Sequence, residues 1–204
     1  MKKCWLSLLL MAVVIFVSAC SNANQNVHQD DKYGKGGKIK IIEYGDFKCP
    51  YCKKVEEHIM PKLKKEYIDT KKVDYQFVNM AFLGKDSIIG SRAGHAVRQY
   101  APKQYLKFQK LMFKQQPNSE KKWITEQLVD QQINLLEISN GKKEKIKASY
   151  KTKDSESWKA AEQDQKQYKE NHIETAPTVF VAGKKVEDPY KYKNYKKYLK
   201  KVKY

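Results

Sequence analysis

The chain has 204 residues, of which 41% are hydrophobic, and it carries a formal net charge of +18 at pH 7. This length and apolar content suit one folded domain with a substantial core, and they exclude an intrinsically disordered chain. Arginine contributes only Arg92 and Arg98 to the 41 basic residues, and proteins that read bases favour arginine, so we expect no nucleic-acid partner.

The N-terminal residues have the features of a secretion signal. A short basic start precedes an apolar run at 5–19, which is shorter than the roughly 20 residues that a helix needs to cross a bilayer. The run ends in Val17-Ser18-Ala19-Cys20, which resembles a bacterial lipobox, in which the cysteine thiol takes a diacylglycerol and cleavage then leaves that cysteine as the first residue. We therefore predict a lipoprotein signal peptide at 1–19 and a lipidated Cys20 that anchors the chain to the extracytoplasmic face of the cell membrane. An ordinary signal peptide with an incidental cysteine is the alternative.

The next section predicts a tether followed by the start of a fold. Residues 20–37 are mostly polar and end in glycines, which indicates a flexible tether. A strand is predicted at 39–44, and a turn leads into a helix that begins at Cys49. Pro61 lies inside the apolar pattern of this helix and should kink or break it. Residues 73–80 predict a second strand, which would complete a βαβ unit with parallel strands.

A long helical region follows. Asp86 or Ser87 can cap the first helix, Pro102 can open the second, and a third is predicted from Ile124 with Asn140-Gly141 as its end. Residues 142–171 are highly charged and also predicted to be helical. The inward positions, from their helical spacing, are Ile89, Ala93, Val97, Tyr100, Tyr105, Phe108, Met112, Leu128, Val129, Ile133, Leu135, Leu136, Ile146, Tyr150, Trp158 and Ala161.

The C-terminal section returns to strand chemistry. Residues 178–181 predict a strand, a turn at Gly183 leads to a return strand, and Asp188-Pro189 is expected to start a last helix at 190–201. The predicted fold class is therefore α/β, with an all-helical insert. We place the α/β domain at 38–82 and 172–204 and the helical insert at 83–171.

Of the four cysteines, only Cys49 and Cys52 would remain in a processed and lipidated chain. They fall in the first turn of a helix, whose unpaired N–H groups and partial positive charge favour a thiolate at Cys49. We predict an exposed, reactive Cys49 and a buried Cys52. A zinc site would need two more ligands, and a structural disulfide over so few residues would constrain the unfolded chain little. The pair therefore favours redox chemistry, and we expect no metal.

Two segments carry a resemblance to a known family: Glu43-Tyr44-Gly45-Asp46-Phe47-Lys48-Cys49-Pro50-Tyr51-Cys52 and Thr175-Ala176-Pro177-Thr178. They resemble the DsbA-like thiol–disulfide oxidoreductases of the thioredoxin superfamily, particularly the lipoprotein members of Gram-positive bacteria. The resemblance covers roughly residues 38–201 and implies a thioredoxin-like fold in which the helical insert caps the active site.

The resemblance also implies roles for single residues. Pro177 matches the family's cis-proline beside the cysteines, where Thr175 and Ala176 precede it and Ala176 would offer backbone hydrogen bonds to an extended substrate. An ordinary trans-proline is the alternative. Glu43 matches a buried acid that would exchange a proton with Cys52, and a surface glutamate is the alternative there.

Two departures from the pattern are also visible. The residues between the cysteines, Pro50 and Tyr51, match glutaredoxins, whereas Gram-negative members have a histidine in place of Tyr51. Ala176 is smaller than the valine or threonine common before the proline. The first departure bears on how oxidising the protein is. The second would weaken side-chain contacts to the substrate.

The implied function is donation of a disulfide to unfolded secreted proteins with free thiols, by dithiol–disulfide exchange at Cys49-Pro50-Tyr51-Cys52. No cofactor beyond this disulfide is expected, and we expect a monomer. An extracytoplasmic disulfide reductase, which would use the same residues, and a metal-binding lipoprotein are the alternatives. The sequence does not indicate which agent reoxidises the cysteines.

Overall fold

The computed structural model describes residues 32–118 and 121–200. The predicted signal peptide at 1–19, the lipidation site Cys20 and the tether residues 21–31 lie outside the described residues. The last part of the predicted tether lies against the fold, because Tyr33 forms a β-bridge with Ile39 and the backbone N–H of Lys35 donates to Asp74. No helix in the part of the chain that the structure describes is long and apolar enough to cross a membrane.

A four-stranded mixed sheet forms the centre of the fold. Its strands are β1 (Ile39–Gly45), β2 (Val73–Asn79), β3 (Thr178–Val181) and β4 (Lys184–Lys185), in the order β2-β1-β3-β4. The β1 and β2 strands are parallel, as the predicted βαβ unit requires, and the other pairs are antiparallel. Strand β1 is therefore central, and its carboxyl end leads directly to the cysteine pair.

The helix after β1 places both cysteines. Helix α1 (Pro50–His58) begins immediately after Cys49, and Pro50 lies at its first position. A backbone N–H at this position has no hydrogen-bond acceptor within the helix, so its absence in proline costs no helical hydrogen bond. The predicted break at Pro61 is confirmed, because α1 ends at His58 and a short helix α2 (Met60–Leu63) and a π-helical turn (Lys64–Ile68) follow.

Among the described residues, five α-helices lie between β2 and β3 and form the predicted all-helical insert, and one α-helix follows β4. They are α3 (Ser87–Tyr100), α4 (Tyr105–Lys114), α5 (Glu126–Asn134), α6 (Asn140–Lys151), α7 (Glu156–Glu170) and, after the sheet, α8 (Tyr192–Leu199). The Cys pair lies where the insert packs on the sheet, in an apolar cluster that joins Phe47 and Phe77 to insert residues such as Phe108 and Phe113. The predicted domain boundaries themselves stay a prediction.

Some predicted helix ends and inward positions are wrong. Asn140-Gly141 begins α6 instead of ending α5, because the backbone carbonyl of Ser139 accepts the N–H groups of Lys142 and Lys143. The predicted inward position of Leu135 is wrong, since Leu135 lies in a turn and is 56% exposed. The region 142–171 is helical as predicted, and it forms two helices, because Ser155 caps α7 with a side-chain hydrogen bond.

Two cap predictions also need correction. Asp86 precedes α3, but its carboxylate makes no bond to the first turn of that helix and accepts other groups instead. The last helix begins at Tyr192 rather than directly after Asp188-Pro189, because Asp188 accepts the backbone N–H groups of Tyr190 and Lys191 in a separate turn.

Candidate active site

Cys49 lies at the N-terminus of α1, where backbone donors point at its sulfur. Its Sγ accepts the backbone N–H of Cys52 at 3.3 Å. The pKa of Cys49 is below its ordinary value, mainly because of the hydrogen bond with the Cys52 side chain, and the backbone N–H groups of Cys52 and Tyr51 lower it further. Burial and the charge of Asp46 act in the opposite direction. The net effect favours a thiolate at Cys49.

Cys52 is fully buried, one helical turn further along α1. Burial raises the pKa of its thiol well above the ordinary value, and the hydrogen bond to Cys49 and the charges of Cys49 and Glu43 add to this effect. Neither sulfur is in a disulfide in this structure. In the reduced pair, Cys49 therefore loses its proton more readily than Cys52.

The predicted exposure of Cys49 is wrong in degree, since only 3% of the residue is exposed. The reason is the segment before β3, where the carbonyl oxygen of Ala176 lies 3.4 Å from the Cys49 sulfur and accepts a hydrogen bond from it when Cys49 is a thiol. Cys49 nevertheless lines an open cleft of about 760 Å³ together with Pro50, Tyr51 and Ala176. A substrate sulfur would have to approach through this cleft.

The structure brings the other predicted site residues to the same place. The Ala176–Pro177 peptide bond is cis, as the resemblance implies. The hydroxyl of Thr178 donates to the carbonyl of Thr175 at 2.7 Å and closes the turn before β3. Tyr51 is 54% exposed, and its ring lies 5.0 Å from the Lys54 ammonium.

Glu43 is a buried acid and not a surface residue. It lies on β1 with 2% of its surface exposed, and Oε2 accepts the hydroxyl of Tyr75 at 2.9 Å. Burial raises the pKa of Glu43 to about 8; the Tyr75 hydrogen bond opposes the rise, and the charges of Glu56 and Cys49 add to it. Glu43 is therefore largely protonated at neutral pH.

The comparison with a family model decides the family. The model described as Thioredoxin matches residues 35–201. "Probable disulfide bond formation protein D" of Bacillus anthracis is 33% identical over 165 residues, which cover 79% of this chain and 71% of that protein. This chain belongs to the DsbA-like thiol–disulfide oxidoreductases of the thioredoxin superfamily. Like its relatives it is a protein-disulfide oxidoreductase, and the family works with a redox-active cysteine pair.

Other relatives and solved structures agree with this assignment. "Disulfide bond formation protein D" of Bacillus subtilis is 31% identical over 74% of this chain and 66% of that protein. The crystal structure of oxidised BdbD from Bacillus subtilis has a TM-score of 0.71 and 28% identity, covering 83% of this chain and 89% of that chain. The oxidoreductase NmDsbA1 from N. meningitidis, at 23% identity over 82% of this chain and 85% of that chain, shows the same fold with a TM-score of 0.62.

An aspartate and an ion pair lie buried beside the cysteines of this DsbA-like protein and were not predicted from the sequence. Asp46 is fully buried and accepts hydrogen bonds from the backbone of Lys48, Phe82 and Leu83 and from the hydroxyl of Ser87. Its charge acts against the Cys49 thiolate. The signal available in the sequence was the presence of two charged residues, Asp46 and Lys48, in the short turn before Cys49.

The second group is an ion pair between Lys48 and Asp86. The Lys48 Nζ lies 2.8 Å from Oδ1 of Asp86, and the two side chains are only 6% and 2% exposed. The other oxygen of Asp86 accepts the backbone N–H groups of Trp123 and Ile124. Asp86 thus links the turn before Cys49 to the helical insert. From the sequence, Asp86 was predicted only as a possible helix cap.

Gly45 permits the close approach of the strand end to Cys52. A Cβ atom at this position would lie 2.6 Å from the ring of Phe77 and 3.1 Å from the Cys52 sulfur. No side chain fits between them without displacing one of the two. The last residue of β1 therefore has to be glycine for Cys52 to pack against the strand.

Replacing Glu43 with glutamine is expected to flatten the pH dependence of stability. A carboxyl whose folded pKa is raised from 4.5 to about 8 contributes stability that is complete below about pH 4.5 and is lost as the pH rises to about 8. This loss amounts to at most about 1.4 kcal/mol per pH unit. The glutamine keeps an acceptor for Tyr75 but does not titrate.

Urea unfolding of the reduced protein between pH 5 and pH 8 measures this effect. The stability of the variant relative to the wild type should increase steadily across this range. The exposed Glu57→Gln is the matched control and should leave the slope unchanged. Parallel curves for Glu43→Gln and the wild type would contradict a buried, protonated Glu43.

Proposed function

We propose that this protein donates the Cys49–Cys52 disulfide to secreted proteins that carry free thiols. The observation that carries the proposal is the opposite shift of the two thiols: the pKa of Cys49 is lowered at the helix N-terminus, and that of Cys52 is raised by burial. A stabilised thiolate lowers the free energy of the reduced enzyme, which makes its disulfide a better oxidant. The names of the Bacillus relatives support the same direction.

The exchange would proceed in two steps. A substrate thiolate attacks the Cys49 sulfur, the Cys49–Cys52 bond breaks, and Cys52 leaves as a thiolate that takes the proton of the Glu43 carboxyl. A second substrate thiolate then attacks the substrate sulfur of the mixed disulfide, and Cys49 leaves as the thiolate. The substrate loses two electrons and gains a disulfide, and the enzyme ends with two reduced cysteines.

The surface around Cys49 suits an unfolded polypeptide segment. Tyr51, Phe82 and Leu83 are apolar residues that line the cleft and are between 39% and 54% exposed. An extended segment could pair with the backbone of Ala176 while its side chains contact these residues. Backbone pairing and apolar contact read little sequence, so the substrates would be broad in range.

A reductase is the second candidate, and one observation favours it. The charge of Asp46 works against the Cys49 thiolate, and Tyr51 cannot add the positive charge that a histidine would supply. A less stabilised thiolate would make the pair less oxidising, and the same residues would then remove disulfides. For the metal-binding alternative, residues 32–118 and 121–200 hold no group of three or more His, Cys, Asp or Glu side chains that could bind a metal ion.

Disulfide transfer without oxygen tests the proposal directly. The full-length protein, oxidised and purified in detergent, is mixed anaerobically with an equal amount of a reduced, unfolded polypeptide that contains two cysteines. Mass spectrometry should find the disulfide in the polypeptide and two free thiols at Cys49 and Cys52. A polypeptide that stays reduced while the enzyme stays oxidised would refute donation.

We further propose that the protein acts at the extracytoplasmic face of the membrane as a lipid-anchored monomer. The support is the lipobox-like sequence that ends at Cys20, since two acyl chains hold a protein firmly on a bilayer. When cells are grown with a labelled fatty acid, the wild type should carry the label and Cys20→Ala should not. A wild type without label, or a Cys20→Ala chain with equal label, would contradict anchoring through Cys20. The reoxidising agent would be a partner that reaches the same surface.

A further inference from the structure

A chain of buried hydrogen bonds links Glu43 to a second acid. The hydroxyl of Tyr75 donates to Glu43 at 2.9 Å, and Nε2 of Gln109 donates to the oxygen of Tyr75 at 3.1 Å. The same Nε2 donates to Oε2 of Glu56 at 2.8 Å. The oxidoreductase chemistry described above uses Glu43 but none of the other three residues.

These four residues come from four different elements. Glu43 lies on β1, Tyr75 on β2, Gln109 on α4 and Glu56 on α1, one helical turn beyond Cys52. Gln109 is fully buried and Glu56 is 9% exposed. The amide oxygen of Gln109, Oε1, is buried and accepts no hydrogen bond from another protein group among the described residues. An arrangement that leaves a buried acceptor unpaired carries a free-energy penalty, which suggests that it serves something other than stability.

We propose that Tyr75, Gln109 and Glu56 are positioning residues for Glu43: Tyr75 and Gln109 fix the orientation of its carboxyl, and Glu56, when ionised, keeps a proton on it. The proposal rests on the proposed role of Glu43 as the acid that protonates the departing Cys52 thiolate. The Tyr75 hydroxyl donates to the Glu43 carboxyl, and Gln109 donates to the Tyr75 oxygen. Glu56, when ionised, places a second negative charge at the other end of this series of hydrogen bonds. Because Gln109 belongs to α4, the helical insert contributes directly to the chemistry on the sheet.

The groups that face Glu43 make its proton hard to lose. They are Cys49 directly before α1, Cys52 and Glu56 on α1, Tyr75 on β2, Tyr105 on α4 and Tyr195 on α8, whereas β3 pairs the apolar Val179 with Glu43. Each of these side chains is either neutral or negative. Arg98 is close to Tyr105, with its guanidinium 3.9 Å from the ring centre.

Glu56 itself titrates near neutral pH. Burial raises the pKa of Glu56 to about 7, the hydrogen bond from Gln109 and the charge of Lys110 oppose the rise, and Glu57 adds to it. When Glu56 is ionised, its charge disfavours ionisation of Glu43. The bond from Tyr75 has the opposite effect, because a hydroxyl donor stabilises the carboxylate. The charge of Glu56 therefore raises the pKa of Glu43, whereas the hydrogen bond from Tyr75 lowers it.

Carboxyl titration of the full-length protein tests this opposition. The protein is labelled with carboxyl-¹³C glutamate, and Glu43→Gln identifies the Glu43 resonance. In Glu56→Gln the Glu43 midpoint should move to lower pH, and in Tyr75→Phe it should move to higher pH, each by about half a pH unit or more. Glu57→Gln, which removes a charge one residue further along the same helix, should leave the midpoint in place. Shifts of equal sign, no shift, or an equal shift in Glu57→Gln would overturn the proposal.

A second variant keeps both acids and tests the connection. Gln109→Leu should raise the midpoint of Glu56, because it removes a hydrogen bond to the carboxylate, and an unchanged Glu56 midpoint would contradict the link. The pH profile for opening of the Cys49–Cys52 disulfide by a small thiol should show the same opposite shifts in Glu56→Gln and Tyr75→Phe, and unshifted profiles would also count against it. The network and the proposed function fail separately, because carboxyl titration needs no substrate and disulfide donation is measured in wild type.

Discussion

Cys49→Ala should abolish disulfide exchange, with the rate falling by at least about three orders of magnitude. Cys52 cannot replace it, because Cys52 is fully buried and its raised pKa keeps it a thiol rather than the reactive thiolate. The measurement is the rate of disulfide transfer to a reduced two-cysteine polypeptide. Exchange at more than a few per cent of the wild-type rate would place the reactive sulfur elsewhere.

Cys52→Ala is the matched variant, and it should fail in a different way. Cys49 keeps its place at the start of α1 and its contact with Ala176, so it can still form a mixed disulfide with a small disulfide reagent. No second enzyme thiol is then present to release the partner, and the adduct should accumulate at Cys49. Mass spectrometry after acid quenching distinguishes this trapped species from the unreacted Cys49→Ala chain.

Asp86→Ala should destabilise the fold by about 3–5 kcal/mol, since removing one partner of a buried ion pair leaves the other charge uncompensated. Lys48 would keep its ammonium in a site where the side chain is 6% exposed, and the N–H groups of Trp123 and Ile124 would lose their acceptor. For a domain of this size, the melting temperature should fall by about 10 °C. Chemical and thermal unfolding of the reduced protein measure both quantities.

Asp69→Ala is the control for this change. Asp69 also pairs with a lysine, and its Oδ2 lies 2.7 Å from Nζ of Lys64, but the two side chains are 54% and 49% exposed. Water solvates both groups when the pair is broken, so the stability should change by less than about 1 kcal/mol. Equal losses in the two variants would show that burial of the Lys48–Asp86 pair does not matter.

The sequence predicted the parts of the fold that local pattern and chain chemistry determine. Strands β1 and β2, the start of α1 at Cys49-Pro50 and the break near Pro61 follow from alternation, proline and glycine. The segment 135–141 was misread because an apolar stripe does not reveal where tertiary packing stops, and Leu135 continues the stripe while facing water. Asn140-Gly141, read as a helix end, forms the first turn of the next helix.

The site likewise has parts that could be predicted from the sequence and parts that depend on tertiary packing. Cys49 and Cys52 could be located from their spacing at the start of a helix, and Glu43 and Pro177 from the resemblance to a known family. The partners of Glu43 could not, because Tyr75 and Gln109 lie 32 and 66 positions from it in the chain and only the packing of α4 on the sheet brings them together. Lys48 and Asp86 were missed for the same reason, since charge patterns along a chain do not show which charges become buried.

The equilibrium reduction potential of the Cys49–Cys52 pair, measured in glutathione buffers at pH 7, tests the proposed direction of exchange most directly. A Cys49 thiolate held by the α1 N-terminus and the Cys52 side chain should stabilise the reduced form. We therefore expect a potential close to the strongly oxidising value of about −120 mV. A potential close to about −270 mV would contradict disulfide donation and make this protein a reductase.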